Sequence, residues 1–239
     1  IMEELEKILQ TTERVKMIYV IPDFQNPTGR TWDLQRRQKF MEIVNRYEIP
    51  VIEDNPYGEL RFEGEYMPAL KSLDTKGLVV YLGTFSKILA PGYRLGWVCA
   101  ADEILTKFNF MEQAASLQAS TIGQMETAKW IDMFDLDEHV ATIRECYRKR
   151  RSVMLETLEK ELPECCTFTR PDGGLFAWVV LPEYMDAKQL QMKCLERKVA
   201  FVPGGSFFPN GGHENTLRLN YSCMPEDKIR EGISALCQT

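Results

Sequence analysis

The stretch from Gly83 to Gly96, GTFSKILAPGYRLG, sets one lysine between hydroxyl residues and an arginine. A lysine amine is a poor nucleophile at its free pKa, and burial or a neighbouring cation is what lowers that pKa. Arg94, seven residues after Lys87, supplies a cation and also a fork that binds anions. Thr84 and Ser86 add two hydroxyls. Earlier in the chain, Asp54 and Tyr57 stand in IEDNPYG and Asn26 stands in FQNPTG. Together these residues combine an amine nucleophile, a carboxylate, a phenol, an amide and an anion clamp.

Taken singly, each has an ordinary reading. Lone lysines are usually solvated, and Asp followed by Asn-Pro is good turn chemistry. NPTG reads as a turn with proline at its second position. Arg218, in TLRLNYS, alternates with leucines and suits the polar face of a half-buried strand. The argument rests on their joint occurrence, in order, at the ends of successive strands.

Those strands are the elements that must position them. VKMIYVIP, IPVIED and GLVVYLGT are short apolar runs that end in polar, Pro and Gly residues, and their ends at Pro22, Glu53 and Thr84 recur every 31 residues. That interval fits successive βαβ units, which need about 30 residues each. Ligands of open α/β sheets bind outside the carboxyl ends of the strands, so Asn26, Asp54, Tyr57, Thr84, Ser86 and Lys87 are expected to face one crevice. The first crossover, WDLQRRQKFMEIVNRY, predicts a helix with Leu34, Phe40, Met41 and Val44 turned inward. The second, YGELRFEGEYMPALKSLDTK, is more loop-like. A fourth strand, RLGWVCAA, follows, with Asp102 as N-cap of a helix running through Ile104, Leu105, Phe108 and Met111.

Near residue 135 the texture changes to a long amphipathic helix, about Asp137 to Leu162, and a domain junction is expected there. Beyond it, CTFTRPDGGLFAWVVLP predicts a hairpin around Pro171-Asp172-Gly173-Gly174. A helix (DAKQLQMKCLERK), strands in VAFVPGG and NTLRLNYS, and a terminal helix opened by Pro225 complete a small α+β domain over 136–239. The fold class is α/β, with a mostly parallel sheet in residues 1–135.

The 239 residues, 44% hydrophobic and 10% aromatic, are ample for a buried core. A net charge of -6 and a pI near 5.2 argue against a nucleic-acid-binding surface. The basic run Arg148-Lys149-Arg150-Arg151 lies among apolar residues at helical spacing and reads as a solvated helix face. Seven cysteines without CxxC pairing suit a reduced, cytoplasmic protein. His139 and His213 stand apart from other ligand types, so no metal site is expected. No apolar run is long enough to cross a membrane, and MEELEKILQTTERVK is a charged helix rather than a signal peptide. Ile1 is not a start methionine, and the chain is expected to begin within a domain.

Pyridoxal 5'-phosphate requires a lysine for a Schiff base, an acid on its pyridine nitrogen and an anion clamp for its phosphate. NPTG, EDNPYG, TFSK followed by GYRLG, and RLNYS resemble in combination the fold type I pyridoxal-phosphate enzymes, specifically class I/II aminotransferases. PDFQNPTG, IEDNPYGELRF and PDGGLFAW look most like the branch with 2-aminoadipate and kynurenine aminotransferases and the aminotransferase-like half of MocR-type regulators. The resemblance implies that Lys87 forms the Schiff base and moves the substrate proton. Asp54 would face the pyridine nitrogen, and Tyr57 and Asn26 the phenolic oxygen. Thr84, Ser86 and Arg94 would hold the phosphate, and Arg218 the substrate carboxylate, with Asn26 also on the substrate side. It further implies a homodimer acting on an α-amino acid and a 2-oxo acid, and makes 1–135 the C-terminal part of the large cofactor-binding domain. The family's N-terminal strands, glycine-containing phosphate loop and ring-stacking aromatic have no counterpart here, so this chain alone is expected to hold the cofactor weakly. Other readings are the effector half of a MocR-type regulator and a lyase of the same fold.

Overall fold

The computed structural model describes residues 1–239 and divides into two compact units. The first comprises Ile1–Pro22, Trp32–Glu59 and Glu65–Val140. The second comprises Asp23–Thr31, Leu60–Gly64 and Ala141–Thr239. A single junction near residue 135 therefore does not describe the organisation, because two loops of the first half pack with the C-terminal residues. The cause lies in those loops: Arg61 pairs with Asp23 at 3.2 Å and lies over the ring of the fully buried Phe24.

In the first unit, α1 (Met2–Thr11), β1 (Ile18–Val20), α2 (Leu34–Tyr47), β2 (Val51–Asp54), β3 (Val79–Thr84) and β4 (Gly96–Cys99) build a four-stranded sheet of order β1-β2-β3-β4 with its helices. The pairs β1–β2 and β2–β3 are parallel, and β4 runs antiparallel to β3. Phe40, Met41 and Val44 of α2 pack on Val51, Val79 and Leu70, with Ile18 and Val20 alongside. The helix starts at Asp33, whose side chain accepts from Arg36 N at 2.7 Å. Leu34, expected to face inward, is 41% exposed. Arg37 is buried instead, donating to the carbonyls of Trp32 and Pro68 at 3.1 Å each. The second crossover holds only a short 3-10 turn, Leu70–Leu73. Its first two donors, Leu70 N and Lys71 N, are accepted by the buried carboxylate of Glu53 at 2.8 Å each, which ties the turn to β2.

Asp102 is not the N-cap of the next helix. That position is Ala101, and Asp102 begins α3 (Asp102–Ala115), where with Glu103 it meets the helix's positive end. The expected apolar face of α3 is open, with Phe108 39% and Met111 67% exposed. A further helix absent from the sequence reading, α4 (Thr121–Met133), follows; Ser120 caps it through Gly123 N.

The long helix α5 (Leu136–Glu161) begins in the first unit and continues in the second. There β5 (Thr167–Phe168), β6 (Phe176–Val180), β7 (Val202–Pro203) and β8 (Thr216–Asn220) form an antiparallel sheet of order β5-β6-β8-β7. Met154, Leu155 and Leu158 of α5, Leu190 and Cys194 of α6 (Ala187–Glu196), and Ile229 and Ile233 of α7 (Glu226–Cys237) share a core with Ala177, Val179, Leu217 and Leu219. The basic run of α5 is only half solvated. Arg148 and Lys149 pair with Glu145 at the surface, whereas Arg150 donates to Ser222 O and the buried Arg151 pairs with Glu63. Pro171 O, 3.3 Å from Arg151 Nη1, gives this second guanidinium an acceptor inside the fold. All seven cysteines are free. No helix is long and apolar enough to cross a membrane.

Candidate active site

In the first unit β1 ends at Val20, short of the expected Pro22, and β2 and β3 end at Asp54 and Thr84. Asp54 closes β2, opposite Leu82 of β3, and Thr84 closes β3 two residues later. The chain then turns through Phe85–Leu89, so Ser86 and Lys87 follow at the same carboxyl edge. Thr84 shapes that turn. Its hydroxyl accepts from Ser86 N at 3.1 Å and donates to Leu95 O at 3.2 Å. Lys87 is half-buried.

Arg94 comes back to this turn. The 3-10 segment Pro91–Tyr93 ends with Arg94 in the left-handed region, φ 55°, which a residue with a Cβ seldom occupies. From there Nη1 donates to Ser86 Oγ at 3.4 Å and to Pro91 O at 3.3 Å. No acidic residue lies between Thr84 and Ala101, so two cations, two aliphatic hydroxyls and no carboxylate share this loop. Across the sheet, Gly83 faces Trp97, and a Cβ at Gly83 would lie 2.1 Å from the indole. The Trp97 ring in turn lies 5.0 Å from Phe85, which fixes the start of the turn.

Asp54 accepts a hydrogen bond from the Tyr19 hydroxyl at 2.5 Å. Partial desolvation of the phenol first, in a residue that stays 55% exposed, and then the hydrogen bond and charge of Asp54, raise the Tyr19 phenol above the usual range. The turn after Asp54 is organised by Asn55, whose Oδ1 accepts from Gly58 N at 2.9 Å and whose Nδ2 donates to Tyr81 Oη at 3.2 Å. This turn carries the buried Tyr57.

Asn26 and Arg218 belong to the second unit, and they meet there. Arg218 Nη1 donates to Asn26 Oδ1 at 2.6 Å across 192 positions of sequence. The guanidinium lies 4.2 Å from the Phe176 centroid and 5.2 Å from that of Phe207. Stacking of this kind holds the fork's plane. The Asn26 loop is anchored by Gln25, which accepts from Thr28 N, and by Gly29, whose Cβ would stand 2.4 Å from Phe176 O. Its φ of +68° is a second reason for glycine there.

Sequence reasoning missed Tyr19, Asn55 and Tyr81. Only Tyr19 left a signal: it is a phenol in the first apolar run, and its neighbour in parallel register, Ile52, stands two residues before Asp54.

A mostly parallel sheet whose strand ends carry a carboxylate, a lysine and an arginine-bearing loop, in one chain with an antiparallel α+β unit, is the arrangement of fold type I transferases. The chain belongs to the family described as aminotransferase class I and II, whose profile matches residues 1–236. It is 43% identical over 237 residues to aromatic-amino-acid aminotransferase 1 of Thermococcus litoralis, covering 99% of this chain and 57% of that protein. The crystal structure of LysN, the alpha-aminoadipate aminotransferase of Thermus thermophilus complexed with N-(5'-phosphopyridoxyl)-L-leucine, is similar with a TM-score of 0.94 and 38% identity over 99% of this chain and 61% of that one. An uncharacterized HTH-type transcriptional regulator of Bacillus subtilis is 30% identical over 94% of this chain and 46% of that protein. The chain thus spans about three fifths of the length of the aminotransferases it matches.

Proposed function

We propose that the protein is a pyridoxal 5'-phosphate-dependent transaminase that moves an amino group between an α-amino acid and a 2-oxo acid. The observation that carries the proposal is the joint placement of Asp54 and Lys87 at the carboxyl ends of adjacent parallel strands, with Arg94 folded back on Ser86. The donor set fits the cofactor: a guanidinium and two hydroxyls without a competing carboxylate suit a phosphate, and a carboxylate one strand away suits a protonated pyridine. The chemistry supplied by the bound cofactor is an aldehyde carbon for the amino group and a conjugated ring that takes up electrons from the α-carbon.

In this reading Lys87 Nζ would be the attachment point and would carry the proton between the substrate Cα and the other side of the amino nitrogen. Asp54 would keep the ring nitrogen protonated. Tyr57 and Asn26 would donate to the phenolic oxygen, and Thr84, Ser86 and Arg94 would hold the phosphate. Arg218 grips the substrate carboxylate with its fork, and the acceptor Asn26 Oδ1 orients that fork. The names of the relatives support an aromatic, kynurenine or 2-aminoadipate type of amino acid as substrate. A homodimer acting in the cytoplasm completes the proposal; the free cysteines are compatible with a reducing compartment.

The likeness to HTH-type regulators favours a second reading, a ligand-sensing unit of a transcription factor. The test is product analysis with the amino donor and 2-oxoglutarate. The transaminase reading expects a 2-oxo acid and glutamate in equal amounts, abolished in Lys87→Ala. Cofactor binding without glutamate would favour the sensing unit.

A further inference from the structure

We propose that Tyr19 is a positioning residue: its hydroxyl pins one oxygen of Asp54, fixing the carboxylate for the cofactor's ring nitrogen. This rests on the reading of Asp54 given above. Tyr19 pairs in register with Ile52, and Asp54 lies two residues further along β2, hence on the same face of the sheet. A tyrosine on the edge strand thus reaches diagonally to the last residue of its neighbour, and the Tyr19 Oη to Asp54 Oδ2 distance is 2.5 Å. Asp54 sits at a strand end, where the turn that Asn55 closes constrains the backbone but leaves χ1 and χ2 of the aspartate to its contacts. The phenol is a donor that occupies Oδ2 and leaves Oδ1 for a second donor, so it selects one orientation of the carboxylate. Phenol and carboxylate are matched for this: partial desolvation, the hydrogen bond to Asp54 and the Asp54 charge favour the neutral, donating form of Tyr19, and Tyr57 is the other titratable group acting on it.

The experiment uses the full chain, its Tyr19→Phe and Asp54→Ala variants and the double variant, with pyridoxal 5'-phosphate as the ligand. Removing the hydroxyl should weaken cofactor binding about tenfold or more, the scale of one lost hydrogen bond to a charged group. It should have no further effect once Asp54→Ala is present, because the two act as one unit. With ring-15N-labelled cofactor, Tyr19→Phe should move the ring-nitrogen resonance toward that of unprotonated pyridine. A readout free of cofactor comes from 13C-labelled tyrosine: the Tyr19 phenol should titrate above the ordinary range and move back toward it in Asp54→Ala. Equal weakening by Tyr19→Phe in both backgrounds, an unmoved nitrogen resonance, or ordinary titration of Tyr19 would each overturn the proposal. If Asp54→Ala weakens binding and Tyr19→Phe does not, Tyr19 alone is misassigned. If neither variant changes binding, the reading of Asp54 falls with it.

Discussion

Replacing Asp23 by alanine should unfold the second unit far more easily than its place in a loop suggests. Asp23 and Arg61 are each 6% exposed and pair at 3.2 Å. Arg61 otherwise has Glu63 O at 3.4 Å and the face of Phe24 at 4.8 Å, while its Nε is buried without a partner. A guanidinium cannot shed its proton to escape burial, so Asp23→Ala leaves an uncompensated charge. Breaking such a pair from one side costs about 3–5 kcal/mol. The exposed Lys39–Glu42 pair, with side chains 47% and 60% exposed, lies in the class worth about 0–1 kcal/mol. The assay is urea-dependent thiol labelling of Cys194, fully buried in the core of the second unit, with the labelled peptide read by mass spectrometry. Asp23→Ala should move the labelling midpoint strongly, Lys39→Ala hardly at all. The double change Asp23→Leu with Arg61→Met should regain part of the loss, since the Arg61 charge is then no longer stranded. An Asp23→Ala loss below about 1 kcal/mol would refute the reasoning, because the charge would then be solvated in a way the buried pair denies.

Asp74 accepts from the backbone of Lys76, Leu78 and Val79 and pairs with Lys71. Burial alone would raise its pKa, but these partners together hold it below the usual carboxylate range. With the native value depressed, its stabilisation is present above about pH 4 and fades as pH falls through the native value. Acid titration of stability should therefore show a drop that Asp74→Asn removes, and Asp74→Ala should cost about 2–3 kcal/mol at neutral pH in urea unfolding. At Gly173 a Cβ would lie 2.4 Å from Leu60 O and from the Phe24 ring. Because Leu60 O is held by Gly174 N at 2.8 Å, Gly173→Ala should destabilise the second unit by about 2–3 kcal/mol in the same labelling assay.

Part of the candidate site's framework was legible because strand ends write themselves into sequence. Apolar runs cut off by Pro, Gly and polar residues placed Asp54 and Thr84 at the ends of adjacent parallel strands, with Lys87 in the turn that follows, and the spacing of the runs gave the crossovers. Direction was not legible for GWVC: an apolar run pairs either way, and it is the short Pro91–Tyr93 turn that reverses it against β3. Charge misled in two places. Arg37 and Arg151 look solvated by type, yet backbone carbonyls and a distant glutamate receive their N–H groups inside the fold. All but the Trp32 carbonyl stand well away in sequence, as does Asn26 from Arg218, so residue types were readable while the pairing was not. The same holds for Asp23, Phe24 and Arg61, which draw two loops into the second unit. The face of α3 carries a helical apolar stripe that the structure leaves exposed, because periodicity tells which residues align and says nothing of what covers them.

The central claim is that Lys87 is the cofactor's attachment point. Incubation of the chain with stoichiometric pyridoxal 5'-phosphate, borohydride reduction and peptide mapping measures it directly. The phosphopyridoxyl group should be found on Lys87, and Arg94→Ala should lower its yield. A label spread evenly over surface lysines, or retained in full by the Lys87→Ala chain, would contradict the account.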